Sequence, residues 1–98
     1  AASQNNGSSV SIADIYWKGL RCIVQVDGNV DGIQVDIRTE AGSPDSSVVV
    51  TPRALKSEGT ASIVVEDDGF EGKKAFVVCI ATDGNLVAQQ ETVVGGGT

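Results

Sequence analysis

Residues 33–38 have the sequence Ile-Gln-Val-Asp-Ile-Arg, and this stretch decides the fold class. Apolar and polar residues alternate along it without exception. Because successive side chains of a β-strand point to opposite faces, strict alternation predicts a half-buried strand. Ile33, Val35 and Ile37 form its predicted inner face, and the polar residues between them form the outer face.

Further strands are predicted on both sides of this stretch. Residues 21–27 alternate in the same way, with Cys22, Val24 and Val26 on one face and Ile23 as an apolar exception on the other. Turn signals such as Asp-Gly pairs separate segments of strand length, which is typical of a sandwich or barrel. Other strands are predicted at residues 10–17, 48–51, 60–66, 75–82 and 86–94, and one short helical turn at 52–56. The chain is therefore predicted to be an all-β antiparallel sandwich of about seven strands.

Residues 73–81 begin with two lysines and are then apolar on both faces, which predicts a central strand covered on both sides, or covered on one side by a neighbour. The pattern leaves two registers open. If Cys79 faces inward, it can meet Cys22 across the two sheets. If Phe76 and Ile80 face inward instead, that contact would need a bulge or would not form.

Length and composition bound the domain organisation. The chain has 98 residues, of which 41% are apolar and 4% aromatic, with no Met. It is long enough for one domain with a core of aliphatic side chains, a composition that favours strands. We expect a flexible N-terminal linker at residues 1–9, a β-sandwich domain at 10–94, and a flexible Gly-rich tail at 95–98.

The charge balance narrows the classes of partner. Seven basic residues against 13 acidic residues give a net charge of −6, which repels nucleic acid and anionic lipid. The basic residues are interpreted as scattered over a solvated surface. Apolar runs are far shorter than the ~20 residues that span a bilayer. We therefore expect no nucleic acid and no membrane insertion. The N-terminal residues could follow a removed signal peptide or form a linker between domains.

The two cysteines both lie within apolar, strand-like segments. An even count in such positions favours one buried disulfide between Cys22 and Cys79, formed in an oxidising compartment. The alternative is a pair of inert, buried thiols in a reducing compartment.

The sequence contains no His, which removes the commonest general base and the commonest zinc ligand. The usual activator of a Ser or Cys nucleophile is missing for the same reason. We therefore expect no catalytic residues and no enzyme activity.

Acidic turns are the remaining polar clusters. Asp27 and Asp31 lie in one loop, and Asp67 and Asp68 lie in another. Clustered carboxylates can bind calcium, so these four residues are the calcium candidates. Asp-Gly pairs are also what tight turns require, and this turn role is the favoured interpretation. No cofactor is expected.

Tyr16 and Trp17 are the candidate ligand contacts. Because they are adjacent on a strand, one ring faces the core and the other faces solvent or a partner. We expect Trp17 in the core and Tyr16 outward, where its ring could contact a protein or a sugar.

Seven strands with a Cys in the second and another in the sixth resemble an immunoglobulin-like sandwich. Residues 13–28 look like the opening hairpin of bacterial or phage immunoglobulin-like and fibronectin type III-like modules, in which an aromatic residue ends the first strand. Trp17 precedes Cys22, whereas antibody-type domains place the core Trp after the first Cys.

The resemblance implies a non-catalytic accessory or interaction module, located outside the cell or on a cell or virion surface. Its partners would be other domains of the same polypeptide, or a surface protein or glycan. Two alternatives remain open from the sequence. One is a phage capsid decoration domain, and the other is a carbohydrate-binding module of a secreted glycoside hydrolase.

Overall fold

The computed structural model describes residues 10–96, and these form two antiparallel sheets with no α-helix. The strands are β1 (Val10–Lys18), β2 (Arg21–Gly28), β3 (Gln34–Arg38), β4 (Arg53–Ala54), β5 (Thr60–Val64), β6 (Lys74–Ile80) and β7 (Leu86–Val93). One sheet has the order β1-β2-β5, and the other has the order β4-β3-β6-β7. Short 3-10 turns lie at Pro44–Ser46 and Asp68–Phe70. The all-β prediction with seven strands is confirmed.

The two sheets face each other across a single apolar core. The inner faces bury every second residue of the central strands, as period-two alternation requires. These core residues are Cys22, Val24 and Val26 of β2, Val35 and Ile37 of β3, Ala61 and Ile63 of β5, and Ala75, Val77 and Cys79 of β6. The register left open for residues 73–81 is thereby settled, because Cys79 faces the core.

Strand β6 lies between β3 and β7, with its inner face buried and its outer face half-buried at Phe76 and Ile80. Val78 is fully buried although it points away from the core, opposite Val77. The prediction of a central strand for residues 73–81 is confirmed.

The prediction for residues 48–56 is wrong in its details. Residues 48–51 form no strand, and Val50 is 74% exposed. The chain instead contacts the edge of β3 twice, through a bridge from Ser47 to Arg38 and then through β4, which lies where a helical turn was expected. Pro52 precedes β4 and has no N–H to donate to a ladder, which accounts for the interrupted pairing.

The turn from β4 to β5 depends on Gly59. Its φ is +87°, a value that side-chain-bearing residues rarely adopt, and a Cβ there would collide with the carbonyl oxygen of Val26. The Val26 N–H donates to the Gly59 carbonyl at 2.8 Å, and the Gly59 N–H donates to the Lys56 carbonyl at 2.8 Å. These hydrogen bonds fix the position of the Lys56 backbone next to β5.

The predicted linker at residues 1–9 and residues 97–98 of the predicted tail lie outside the described residues. Between residues 10 and 96, no helix is long and apolar enough to cross a membrane.

Candidate functional site

The structure separates the two adjacent aromatic residues as their positions on one strand require. Trp17 is 6% exposed, and its Nε1 donates to Thr92 Oγ1 at 2.9 Å, which joins β1 of one sheet to β7 of the other. Tyr16 is 53% exposed. Trp17 is therefore a core residue, and the candidate ligand contact of this pair reduces to Tyr16.

Tyr16 lies on the outer face of the three-stranded sheet, beside apolar and basic residues. It pairs with Ile23 of β2, which in turn pairs with Ser62 of β5, so the three residues form one row across the sheet. Lys18 pairs with Arg21 in the next outward row. We call these five residues the Tyr16 face.

A pocket of about 300 Å³ adjoins the Tyr16 face where β5 meets β4 of the other sheet. Arg21, Arg53 and Lys56 line it together with Ser62, and the other lining residues are Ala54, Thr60 and Ala61. We call it the basic pocket. Arg21 Nη1 donates to Ser62 Oγ at 3.0 Å, so this guanidinium is held against β5.

The fold brings these basic residues together from three elements. Arg21 comes from β2, Arg53 from the edge strand β4, and Lys56 from the turn that leads to β5. Arg53 pairs with Val35, and residues opposite each other in an antiparallel pair share a face. Since Val35 faces the core, Arg53 projects on the side of the other sheet.

The cations of the basic pocket lack carboxylate partners. Among residues 10–96, the ion pairs within 4.0 Å join Arg38 to Asp36 and Lys74 to Glu91. None of the residues that line the pocket is acidic. These three cations are exposed, as the sequence interpretation expected, but they lie together at one pocket instead of being scattered. The same interpretation is wrong for Arg38, which is 6% exposed.

A second cleft, of about 450 Å³, lies at the end of the sandwich next to the loops after β2 and β6. Ile33, Leu55 and Ile80 supply its larger apolar side chains, and no charged side chain lines it. It offers shape and apolar contact without a group that would fix the orientation of a ligand.

Cys22 and Cys79 are free thiols in the structure, so the disulfide expected from the sequence is absent from it. Both side chains are fully buried on the inner faces of opposite sheets. Burial disfavours the thiolate, and it raises the pKa of Cys22 to about 12 and the pKa of Cys79 to about 11. These thiols are poor nucleophiles in the folded chain.

Side-chain oxygens in the two acidic turns accept hydrogen bonds from N–H groups of the same turn. Asp67 Oδ1 accepts from the Gly69 N–H at 2.9 Å, and Asn29 Oδ1 accepts from the Asp31 N–H at 3.2 Å. Asp27, Asp31, Asp67 and Asp68 are all exposed. Within the part of the chain that is described, no three His, Cys, Asp or Glu side chains gather as a metal site would require.

A buried ion pair on the outer face of β3 was not predicted from the sequence. Asp36 is 2% exposed and Arg38 is 6% exposed, and Arg38 Nε donates to Asp36 Oδ2 at 3.0 Å. Asp36 Oδ1 accepts from the Ile37 N–H at 2.8 Å and from the Ser47 hydroxyl at 2.7 Å. The segment after β3 folds back over the pair, and opposite charges two residues apart on a strand were the signal available in the sequence.

Comparison of the chain with family models, with curated proteins and with solved structures gives no match. The functional argument therefore depends on the geometry of the Tyr16 face and the basic pocket.

Proposed function

We propose that this chain is a non-catalytic interaction module of the immunoglobulin-like or fibronectin type III-like kind, belonging to a larger extracellular or surface protein. Its strand order supports the family. Immunoglobulin-like sandwiches place strands one, two and five in one sheet and strands three, six and seven in the other, as this chain does. The fourth strand here joins the third, which differs from the constant-type arrangement.

The proposal that the module is non-catalytic is supported by the chemistry of its side chains. The sequence has no His, and burial raises the pKa of both thiols, so neither a common base nor a reactive sulfur is at hand. The extracellular or surface setting is supported by the resemblance alone.

The observation that carries the binding role is the Tyr16 face. An exposed Tyr beside Ile23, bordered by Lys18 and Arg21, has the composition of an interface centre, where Tyr and Arg are enriched. The row on one side of Tyr16 carries two positive charges, from Lys18 and Arg21, and the row on the other side carries one negative charge, from the exposed Asp14. The net positive charge favours a protein partner with an acidic surface. The carbohydrate-module alternative loses support, because Trp17 is in the core and cannot add a second ring to a sugar platform.

A peptide selection tests this role. A random peptide library is displayed and selected for binding to the whole chain, and the recovered binders are measured against variants. We expect binders enriched in acidic and apolar residues, with affinity reduced at least tenfold by Tyr16→Ala.

Val93→Ala is the matched control, since Val93 is an exposed apolar residue on the other sheet. Thermal melts verify that both variants fold. Binders that are indifferent to Tyr16→Ala, or equally weakened by Val93→Ala, would contradict the proposed role.

A further inference from the structure

The basic pocket contains three cations whose charges no carboxylate of the described residues offsets within 4.0 Å. In a chain of net charge −6, solvated arginines and lysines would ordinarily lie near acids. Three of them line one open pocket here, and Arg21 is already oriented by its bond to Ser62. This arrangement presents donors and positive charge without an acceptor in the protein.

We infer that the basic pocket binds a tetrahedral oxyanion, the phosphate or sulfate group of an ester. The planar guanidinium groups of Arg21 and Arg53 match the spacing of oxyanion oxygens, and Lys56 adds a compact ammonium. The Ser62 hydroxyl accepts from Arg21, which leaves its own proton available to a ligand oxygen. The inference deepens the proposed function by naming a group on the partner, and its biological use rests on that function.

The volume of the basic pocket is sufficient for one phosphate or sulfate group and part of the molecule to which that group is attached. A volume of about 300 Å³ is at the lower end of the range for small-molecule sites. The negative net charge of the chain also favours a single anionic group over a polyanion as the ligand. A polyanion such as nucleic acid meets the field of the whole acidic chain, whereas a single oxyanion within the pocket interacts mainly with groups inside one Debye length, about 10 Å at 0.1 M salt.

An acidic residue lines the cleft next to the basic pocket. Glu66 lines the neighbouring cleft, which shares Arg53 with the basic pocket, but it makes no ion pair with Arg53 within 4.0 Å. Arg53 is therefore not paired with this carboxylate and is available to a ligand.

Inorganic phosphate, inorganic sulfate and acetate are titrated separately into the 15N-labelled chain at constant ionic strength, with chloride as the balance. We expect saturable shifts of the amide signals of Ala61, Ser62 and their neighbours with phosphate or sulfate, and weaker binding of acetate. If phosphate binds more tightly than sulfate, the ligand is a phosphate ester, and if sulfate binds more tightly, it is a sulfate ester. Arg53→Gln and Lys56→Gln should each weaken binding about tenfold, because each removes a charge-assisted contact.

Lys73→Gln is the matched control, since Lys73 is an exposed lysine outside the pocket. It should leave the affinity unchanged. Shifts that do not saturate, equal binding of acetate, or equal weakening by Lys73→Gln would each overturn the inference. Because the titration needs no partner, such a failure leaves the peptide selection on Tyr16 as a separate test of the proposed function.

Discussion

Two arginine sites of this chain differ in what neutralises them. Arg38 is buried on the outer face of β3 and bonded to Asp36, two residues away on the same strand. Arg53 is exposed beside the basic pocket and makes no ion pair with a described residue. A buried charge without its partner is costly, whereas an exposed one is solvated at little cost. The first site therefore serves the stability of the fold, and the second is free to serve binding.

The largest expected effect comes from breaking the first site. Asp36→Ala should lower the free energy of unfolding by about 3–5 kcal/mol, because it leaves the Arg38 guanidinium buried and unpaired. It also removes the acceptor of the Ser47 hydroxyl. Urea unfolding provides the measurement.

Arg53→Gln is the counterpart in the second site, and it should change the free energy of unfolding by less than about 0.5 kcal/mol. Replacing both members of the buried pair, as in Asp36→Val with Arg38→Met, should recover much of the loss, because no charge is then stranded. Equal effects of Asp36→Ala and Arg53→Gln would mean that the two sites do not differ as described.

The two core thiols are a third case, because they are buried, as Arg38 is, but have no oppositely charged partner. Well below pH 9, the ordinary pKa of a thiol, both thiols are protonated whether the chain is folded or unfolded. As the pH rises from 9 towards 11 and 12, the unfolded chain ionises first, because burial holds the pKa of Cys79 at about 11 and that of Cys22 at about 12. The free energy of unfolding should therefore fall, by up to about 1.4 kcal/mol per pH unit for each thiol.

The measurement is urea unfolding between pH 8 and pH 11, with the double variant Cys22→Ala, Cys79→Ala as the control for every pH effect that does not come from the thiols. The steeper pH dependence should disappear in the variant. Both thiols should also resist alkylation until the chain is unfolded. Identical pH slopes, or rapid alkylation of the native chain, would contradict the burial of these groups.

The smallest effect is expected at the exposed ion pair. Lys74 Nζ lies 3.2 Å from Glu91 Oε2, and the two side chains are 68% and 52% exposed. Lys74→Ala should change the free energy of unfolding by less than about 0.5 kcal/mol at 0.15 M salt, since water and salt screen such pairs. If Lys74→Ala lowered the free energy of unfolding as much as Asp36→Ala does, exposure would not determine how much an ion pair stabilises this fold.

Much of the fold followed from local periodicity. Residues 33–38 alternate, and the structure places Val35 and Ile37 inside. Residues 73–81, which are apolar on both faces, contain β6, a central strand of its sheet. Such patterns depend only on neighbours along one strand, which a sequence displays directly.

Contacts between strands far apart in the chain were not predictable in the same way. The basic pocket brings Arg21 together with Arg53 and Lys56 where the two sheets meet, and this contact depends on the position of β4. The sequence predicted the fourth strand at residues 48–51 instead of at β4. The burial of Asp36 depends on the segment that carries Ser47 folding back over β3. Nothing in local alternation distinguishes a polar residue facing solvent from one covered by a returning loop.

The most direct test of an unpaired, ligand-binding pocket is the phosphate dependence of stability in two chains measured side by side. A ligand that binds only the folded state adds RT ln(1 + [L]/Kd), about 1.4 kcal/mol at ten times Kd. Phosphate also stabilises folded proteins through exclusion from their surfaces, so the difference between the wild-type chain and Arg53→Gln is the quantity of interest. We expect the free energy of unfolding of the wild-type chain to rise more steeply with phosphate than that of Arg53→Gln at constant ionic strength. Parallel curves for the two chains would contradict a binding role for the pocket.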